Sequence, residues 1–318
     1  MKTSEITKEY LLKRHKLIKP FIHNTPILTS TYFNDLSGCD IYFKCENFQK
    51  MGAFKMRGAA NAMASLTDEQ KSKGVVTHSS GNFAQAVALS ARSMGITAYI
   101  VMPENAPAVK KAAVKGYGGI VIECESTAIA RENKASEIQA EKQATFLHPS
   151  NDFDVIVGQG TAAMELLEVH PDLDYVFAPV GGGGLIAGTC LACEYMSDHA
   201  QAVGVEPENV DDAYRSLQTG KIERNHGSEA STVADGLRTF LGDINFPIIQ
   251  EYIDQILLVS EEEIISTLRD VYERMKIIIE PSCAVPLAGL LKYMQGYQGK
   301  KIGIVLSGGN VDLTNLPF

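Results

Sequence analysis

The feature that most constrains this chain is its alternation of short β-branched runs with helical stretches. Eight runs read as strands: IYFKCE (41–46), VVTHSS (75–80), AYIVMP (98–103), GIVIEC (119–124), YVFAPV (175–180), QAVGVE (201–206), ILLVS (256–260) and KIGIVLS (301–307). Between many of them lie stretches with helical apolar spacing, such as NFAQAVALSARSMG and EEEIISTLRDVYERMK. Parallel strands need crossover connections, and intervening helices supply them. The pattern therefore predicts an α/β chain with open, mostly parallel twisted sheets flanked by helices.

At 318 residues the chain exceeds one compact core of ordinary size, so two domains are expected. The stretch 74–148 carries a compact series of strand–helix repeats, enough for a small sheet. The segments 1–73 and 149–318 would together close a larger one, with the active site between the two. No Pro/Gly/Ser-rich linker, low-complexity tract or repeat marks the joins.

Composition removes several classes of function. With 29 Lys and Arg against 38 Asp and Glu, the net charge of -9 opposes a nucleic-acid partner. The one basic stretch, LLKRHKLIK, reads as the solvated face of a helix. No apolar run approaches the ~20 residues of a membrane span, and MKTSEITKEY lacks the apolar segment of a secretory signal. Six cysteines without regular spacing fit reduced thiols and a cytoplasmic setting. Cys190 and Cys193 have redox spacing, but they fall in an apolar helical run, whereas a reactive pair needs an exposed electropositive setting.

The most informative local pattern is VFAPVGGGGLIAGTCLA. A strand ends near Val180, Gly181 to Gly184 follow, and a helix opens near Leu185. Consecutive glycines let backbone amides approach an anion, and the helix N-terminus adds partial positive charge. A phosphate site is the expectation. A dinucleotide site needs a similar turn and an acidic residue about 20 positions on, which Glu206 meets loosely. At this point a dehydrogenase remains open.

KCENFQKMGAFKMRGAANAM (44–63) supplies a second motif. Lys55 follows Gly52-Ala53-Phe54 and precedes a helix, and its small, apolar flanks would desolvate an amine and lower its pKa. With HNTPILTS (23–30), SSGNFAQA (79–86), KGYGG (115–119), GQGTAA (158–163), VEP (205–207), ADG (234–236), IEPS (279–282) and SGGN (307–310), the chain resembles the serine/threonine dehydratase and serine racemase family. These are pyridoxal-phosphate enzymes with the fold of the tryptophan synthase β-subunit. The match runs almost end to end, and its motif order is not that of a dehydrogenase.

The resemblance implies roles. Lys55 would be the Schiff-base lysine and the base on one face of the α-carbon, with Phe54 beside the cofactor. Asn82 would hydrogen-bond the cofactor's O3′, Gly181, Gly182, Gly183 and Gly184 would cradle its phosphate, and Ser307 would face the pyridine nitrogen. A neutral hydroxyl there leaves the ring a weaker electron sink, which suits elimination or quick reprotonation. Ser79, Ser80, the Phe83 amide and Arg131 would gather the substrate carboxylate, and Ser80 would act on the second face. Glu206, the Val210 carbonyl and Asp212 match a divalent-cation site, whose oxygen ligands suit Mg2+, Ca2+ or Mn2+.

Two departures stand out. The family usually shows GSFK and SGNH, where this chain has Ala53 and Phe83, so Phe83 excludes an imidazole at that place. The expected reaction is elimination of water from L-serine or L-threonine to a 2-oxo acid and ammonia. Serine racemisation and L-threo-3-hydroxyaspartate ammonia-lyase activity are the alternatives, Arg238 being placed to meet a side-chain carboxylate. A non-catalytic amino-acid sensor would call for loss of Lys55 or the glycine loop, and both are intact. A homodimer is expected. Because the chain ends soon after SGGNVDL, the C-terminal regulatory domain of biosynthetic threonine deaminases is expected to be absent and a catabolic role is expected.

Overall fold

A computed structural model of the chain describes residues 6–225 and 231–318. Its strands are β1 (Ile27–Leu28), β2 (Asp40–Cys45), β3 (Val75–His78), β4 (Ala98–Pro103), β5 (Ile120–Cys124), β6 (Thr145–Phe146), β7 (Tyr175–Pro179), β8 (Gln201–Pro207), β9 (Ile253–Val259) and β10 (Lys301–Leu306). They form a six-stranded sheet in the order β1-β2-β10-β7-β8-β9 and a four-stranded sheet in the order β5-β4-β3-β6. Every pairing is parallel except β1 with β2.

All eight expected strands form. Only the two-residue strands β1 and β6 were absent from the expectation, because a pair of residues carries no period to read. The smaller sheet takes its strands entirely from residues 75–146. Among the described residues no helix is long and apolar enough to cross a membrane.

The central strands of the larger sheet are buried on both faces, which explains their unbroken apolar runs. One side is covered by the helices Phe153–Val169 and Gly184–Met196, which pack on each other through glycines. A Cβ on Gly160 would lie 2.4 Å from the Gly188 carbonyl oxygen, and one on Gly188 would lie 2.5 Å from the Gly160 nitrogen. The helix Pro281–Lys292 covers the other side. Helix Lys55–Ala64 joins the two halves, packing on Phe153–Val169 and also on Asn82–Met94 of the smaller sheet.

The N-terminal basic stretch forms helix Lys8–Ile18 with a solvated face. Its other face is buried. There His15 lies against Glu165 at 2.9 Å, and Arg14 pairs with Asp154 at 3.1 Å. Cys190 and Cys193 are buried in helix Gly184–Met196, and burial raises both thiols, Cys193 to about 12. That environment suits packing rather than redox chemistry.

Candidate active site

Strands β2, β10, β7 and β8 are parallel neighbours, so their carboxyl ends lie on one edge, where α/β sheets bind ligands. β2 leads into residues 46–54 and the helix that opens at Lys55. β10 leads into Ser307–Asn310, β7 into Gly181–Gly184, and β8 ends beside Glu206. Motifs far apart in the sequence thereby share one edge.

The loop before Lys55 is stitched to the end of β10. Ala53 pairs with Gly308 in an isolated antiparallel bridge, the Phe54 amide donates to the Ser307 carbonyl at 2.9 Å, and the Gly309 amide donates to the Gly52 carbonyl at 2.9 Å. Met51 and Gly52 both have positive φ, 56° and 79°. Gly52 has a second constraint, since a Cβ there would lie 2.7 Å from Asn310 Oδ1. Lys55 Nζ donates to the Pro149 carbonyl at 2.7 Å and lies 4.9 Å from the Phe54 ring centroid and 5.8 Å from that of Phe83. Burial lowers this amine from 10.5 to about 8, opposed by the negative charge of Glu280. A partly neutral amine is what proton abstraction requires.

The glycine loop runs from Val180 into helix Gly184–Met196 without a side-chain cap. Among the described residues the N–H groups of Gly181 to Gly184 donate to no protein acceptor. Side chains are excluded there by contact. A Cβ on Gly182 would lie 2.5 Å from Ser150 Oγ and 2.9 Å from Thr239 Oγ1, and one on Gly184 would lie 2.5 Å from Gln159 Oε1. Asn245 Nδ2 anchors the loop by donating to the Gly182 carbonyl at 2.8 Å. Free amides at a helix N-terminus, under a cradle that no Cβ can enter, fit a phosphate dianion.

On the smaller sheet, β3 ends at His78, Ser79 to Gly81 follow, and helix Asn82–Met94 begins. Ser79 Oγ accepts from the Gly81 amide at 3.3 Å, and Ser80 is half-buried. Phe83 is buried, with its ring facing Lys55. Arg131 lies in the first turn of helix Ala128–Lys142, where its Nε donates to the Thr127 carbonyl at 3.4 Å. It is near enough to His78 that, after burial, its charge helps lower that imidazole. Arg131 therefore shares the carboxyl edge of the smaller sheet with Ser79, without touching Lys55.

Asn82 reaches across to the larger sheet. Its Nδ2 donates to both Glu280 oxygens at 3.1 Å, and its Oδ1 accepts from Asn310 Nδ2 at 2.9 Å. Glu280, a residue of IEPS to which the sequence assigns no role, is thus central to the site. Burial raises its carboxyl to about 7, opposed by the Asn82 hydrogen bonds. Between about 4.5 and 7 the folded chain holds this proton while the unfolded chain releases it, so stability falls as pH rises through that window. Glu280→Gln, which mimics the protonated form, is expected to stabilise the apoprotein by about 1–3 kcal/mol at pH 8. At pH 4 the variant and the parent should melt alike. Identical melting of the two proteins at pH 8 would contradict the assignment.

Directly behind Lys55 lies a buried ionic cluster that the sequence analysis missed. Arg57 contacts Glu46 at 2.7 and 2.8 Å and Glu165 at 2.9 and 2.7 Å, and Lys44 Nζ lies 2.6 Å from Glu165. Two cations face two carboxylates, so the desolvation cost is offset pair by pair. Removing one partner strands a buried charge, which costs about 3–5 kcal/mol. The cluster clamps the first turn of the Lys55 helix to β2 and to helix Phe153–Val169.

Glu206 and Asp212 come close at the end of β8, and Val210 is buried in the turn between them. Glu206 caps helix Asp212–Thr219, accepting from the Ala213 amide at 3.1 Å and the Tyr214 amide at 2.8 Å. Both carboxylates are buried, and burial raises Glu206 well above its ordinary value and Asp212 to about 7. Asp212 Oδ2 is buried without a hydrogen-bond partner. Two adjacent buried carboxylates with an orphaned oxygen fit a hard cation. Arg238 is exposed and donates to the Thr232 carbonyl at 2.6 Å. Ser307 is buried at the end of β10, beside Cys283.

Comparison with known proteins shows the family and the fold. The sequence model of a family described as pyridoxal-phosphate dependent enzyme matches residues 18–308. The chain is 46% identical to a serine racemase of Dictyostelium discoideum, over 98% of this chain and 97% of that protein. It is 46% identical to a beta-hydroxyaspartate dehydratase of Paracoccus denitrificans, over 98% of each. It is 47% identical to an L-threo-3-hydroxyaspartate ammonia-lyase of Saccharomyces cerevisiae, over 93% of this chain and 90% of that protein. Among solved structures, the Dictyostelium serine racemase superposes with a TM-score of 0.93, covering 97% of this chain and 99% of that one. A T.th. threonine deaminase does so with a TM-score of 0.91 at 41% identity, covering 98% and 100%.

Proposed function

The chain belongs to the pyridoxal-phosphate dependent enzymes, and on that premise we propose that it acts at the α-carbon of 3-hydroxy amino acids, racemising serine and eliminating water from L-threo-3-hydroxyaspartate. Within that family it is an enzyme of the serine racemase, threonine dehydratase and hydroxyaspartate lyase group. The sequence analysis put dehydration of serine and threonine first. The names of the relatives favour the two alternatives instead. The observation that carries the reading is the Lys55 amine, lowered to about 8 and held by the Pro149 carbonyl between the two sheets.

Pyridoxal phosphate, when bound, supplies the electron sink that makes the α-proton removable. The free amides of Gly181 to Gly184 would hold its phosphate, and Asn82 and Ser307 would meet its ring. Ser79, Ser80, the Phe83 amide and Arg131 would orient the substrate carboxylate, and their common position on the edge of the smaller sheet supports that assignment. Lys55 would take the α-proton. Phe54 and Phe83 exclude water around its amine, which keeps the base partly neutral. The larger unit, 1–73 with 149–318, would hold the cofactor, and 74–148 would clamp the substrate. Product analysis with L-serine, D-serine, L-threonine and L-threo-3-hydroxyaspartate tests the reading. Turnover of L-threonine alone would overturn it.

Glu206, the Val210 carbonyl and Asp212 would hold Mg2+, Ca2+ or Mn2+, a reading supported by the orphaned Asp212 oxygen. A ligand bound only by the folded state stabilises it by mass action, so saturating cation at 100-fold above Kd should add about 2.7 kcal/mol. EDTA is expected to lower the melting temperature of the metal-loaded protein, and Mg2+ to restore it. An unchanged melting curve after confirmed metal removal would rule the site out.

A further inference from the structure

His148 has no role in the preceding account, yet its ring is held with unusual constraint. Its Nδ1 accepts from two backbone amides, Ser150 at 3.2 Å and Asn151 at 2.8 Å. An acceptor cannot also carry the proton, so the neutral ring must bear its hydrogen on Nε2. The ring also packs edge-on against the stacked His78 and Phe146, with centroids 6.2 and 6.3 Å away. Among the described residues Nε2 has no protein partner. The fold therefore holds in place one N–H donor that no described residue receives.

The ring lies close enough to Lys55 to feel its charge. The next residue, Pro149, supplies the carbonyl to which Lys55 Nζ donates. His148 also lines a cavity of about 380 Å³ with Asn151, Arg224, Phe240, Leu241 and Asp243. The Arg224 guanidinium stacks on the Phe240 ring at 4.3 Å, which orients its planar fork. Asp243 is the acid on this wall, and it accepts from Asn151 Nδ2 at 2.8 Å.

We propose that His148 Nε2 and the Arg224 guanidinium form a subsite for the second carboxylate of a dicarboxylic 3-hydroxy amino acid. This rests on the proposed function and names the feature that admits L-threo-3-hydroxyaspartate beside serine. The chemistry follows from counting donors. The α-carboxylate has its own set, Ser79, Ser80, the Phe83 amide and Arg131, on the smaller sheet. A second carboxylate needs a second set, and this cavity provides a neutral N–H and a guanidinium. A carboxylate offers two oxygens and a negative charge to these donors, so its bonds are charge-assisted, which those of a neutral hydroxyl are not. Arg238, the sequence-based candidate for this task, is engaged with the Thr232 carbonyl and does not line the cavity.

The test uses the cofactor-loaded enzyme and two variants. His148→Asn keeps an oxygen where Nδ1 accepts the two amides but removes the Nε2 donor. Arg224→Met keeps a stem on Phe240 and removes the charge, at an exposed position where folding is not at risk. Each is expected to raise KM for L-threo-3-hydroxyaspartate by roughly 10- to 100-fold, the worth of a hydrogen bond to a charged group. KM for L-serine and the visible spectrum of the lysine-bound cofactor should stay as in the parent. Succinate, a non-reacting dicarboxylate, should lose affinity as an inhibitor in parallel. If the parent enzyme turns over serine but not the dicarboxylic substrate, the proposed function falls and this inference with it. If the parent accepts both, and Arg224→Met leaves KM for both unchanged or raises both equally, the subsite alone is overturned.

Discussion

Lys55→Ala is expected to lower turnover by at least 10²–10⁴-fold, the usual contribution of a positioned general base. Covalent attachment of the cofactor should be lost as well. Borohydride treatment of the parent protein, followed by peptide mapping, should place the label on Lys55. Label on another lysine, or a variant within tenfold of parental turnover, would remove Lys55 from the mechanism. The pH profile gives an independent check. A base works in its unprotonated form, and burial brings this amine from 10.5 to about 8 against the opposing charge of Glu280. At pH 7.5 about a quarter of the amine is then neutral, against about one part in a thousand for an ordinary lysine. Turnover should rise with pH and level off above about 8. Glu280→Gln removes the opposing charge, so the rise should move to lower pH.

Ser80→Ala is the second large effect expected, and it is selective. Racemisation needs acid–base groups on both faces of the α-carbon, whereas elimination from an L-substrate needs only Lys55. Ser80 follows β3 on the smaller sheet, while Lys55 opens a helix that the end of β10 on the larger sheet pins in place. The variant should therefore lose conversion of L-serine to D-serine by 10²–10⁴-fold, or about 3–5 kcal/mol of barrier. Elimination from L-substrates should persist. A chiral assay of serine beside a 2-oxo-acid assay separates the outcomes. Equal loss of both activities would make Ser80 a residue that binds carboxylate or positions the cofactor.

Much of this site was legible in the chain. Lys55 and Gly181–Gly184 can be proposed from the sequence because the chemistry expected of them depends on local backbone. An amine flanked by apolar residues, and amides at a strand–helix turn, need only near neighbours in sequence. Glu280 was passed over although its motif was noticed. Its raised carboxyl arises from burial, and the Asn82 that opposes the rise lies 198 positions away. His148 was likewise given no chemistry, since its fixed tautomer depends on how the chain turns at Ser150 and Asn151. The ionic cluster around Arg57 left no signal because charged residues read as surface until packing buries them.

The sequence alone determined the fold class, since strand runs alternating with helical periods admit few other arrangements, and its motifs carried the family resemblance that implied the cofactor class. It also placed the eight principal strands, because apolar periodicity reflects burial directly. Only the tertiary structure decided which groups share an electrostatic environment. A pKa depends on burial and on charges within a few ångströms, and those distances are set by the stacking of parallel strands and not by sequence separation. The orphaned oxygen of Asp212, the protonated tendency of Glu280 and the outward donor of His148 all belong to that second kind of information.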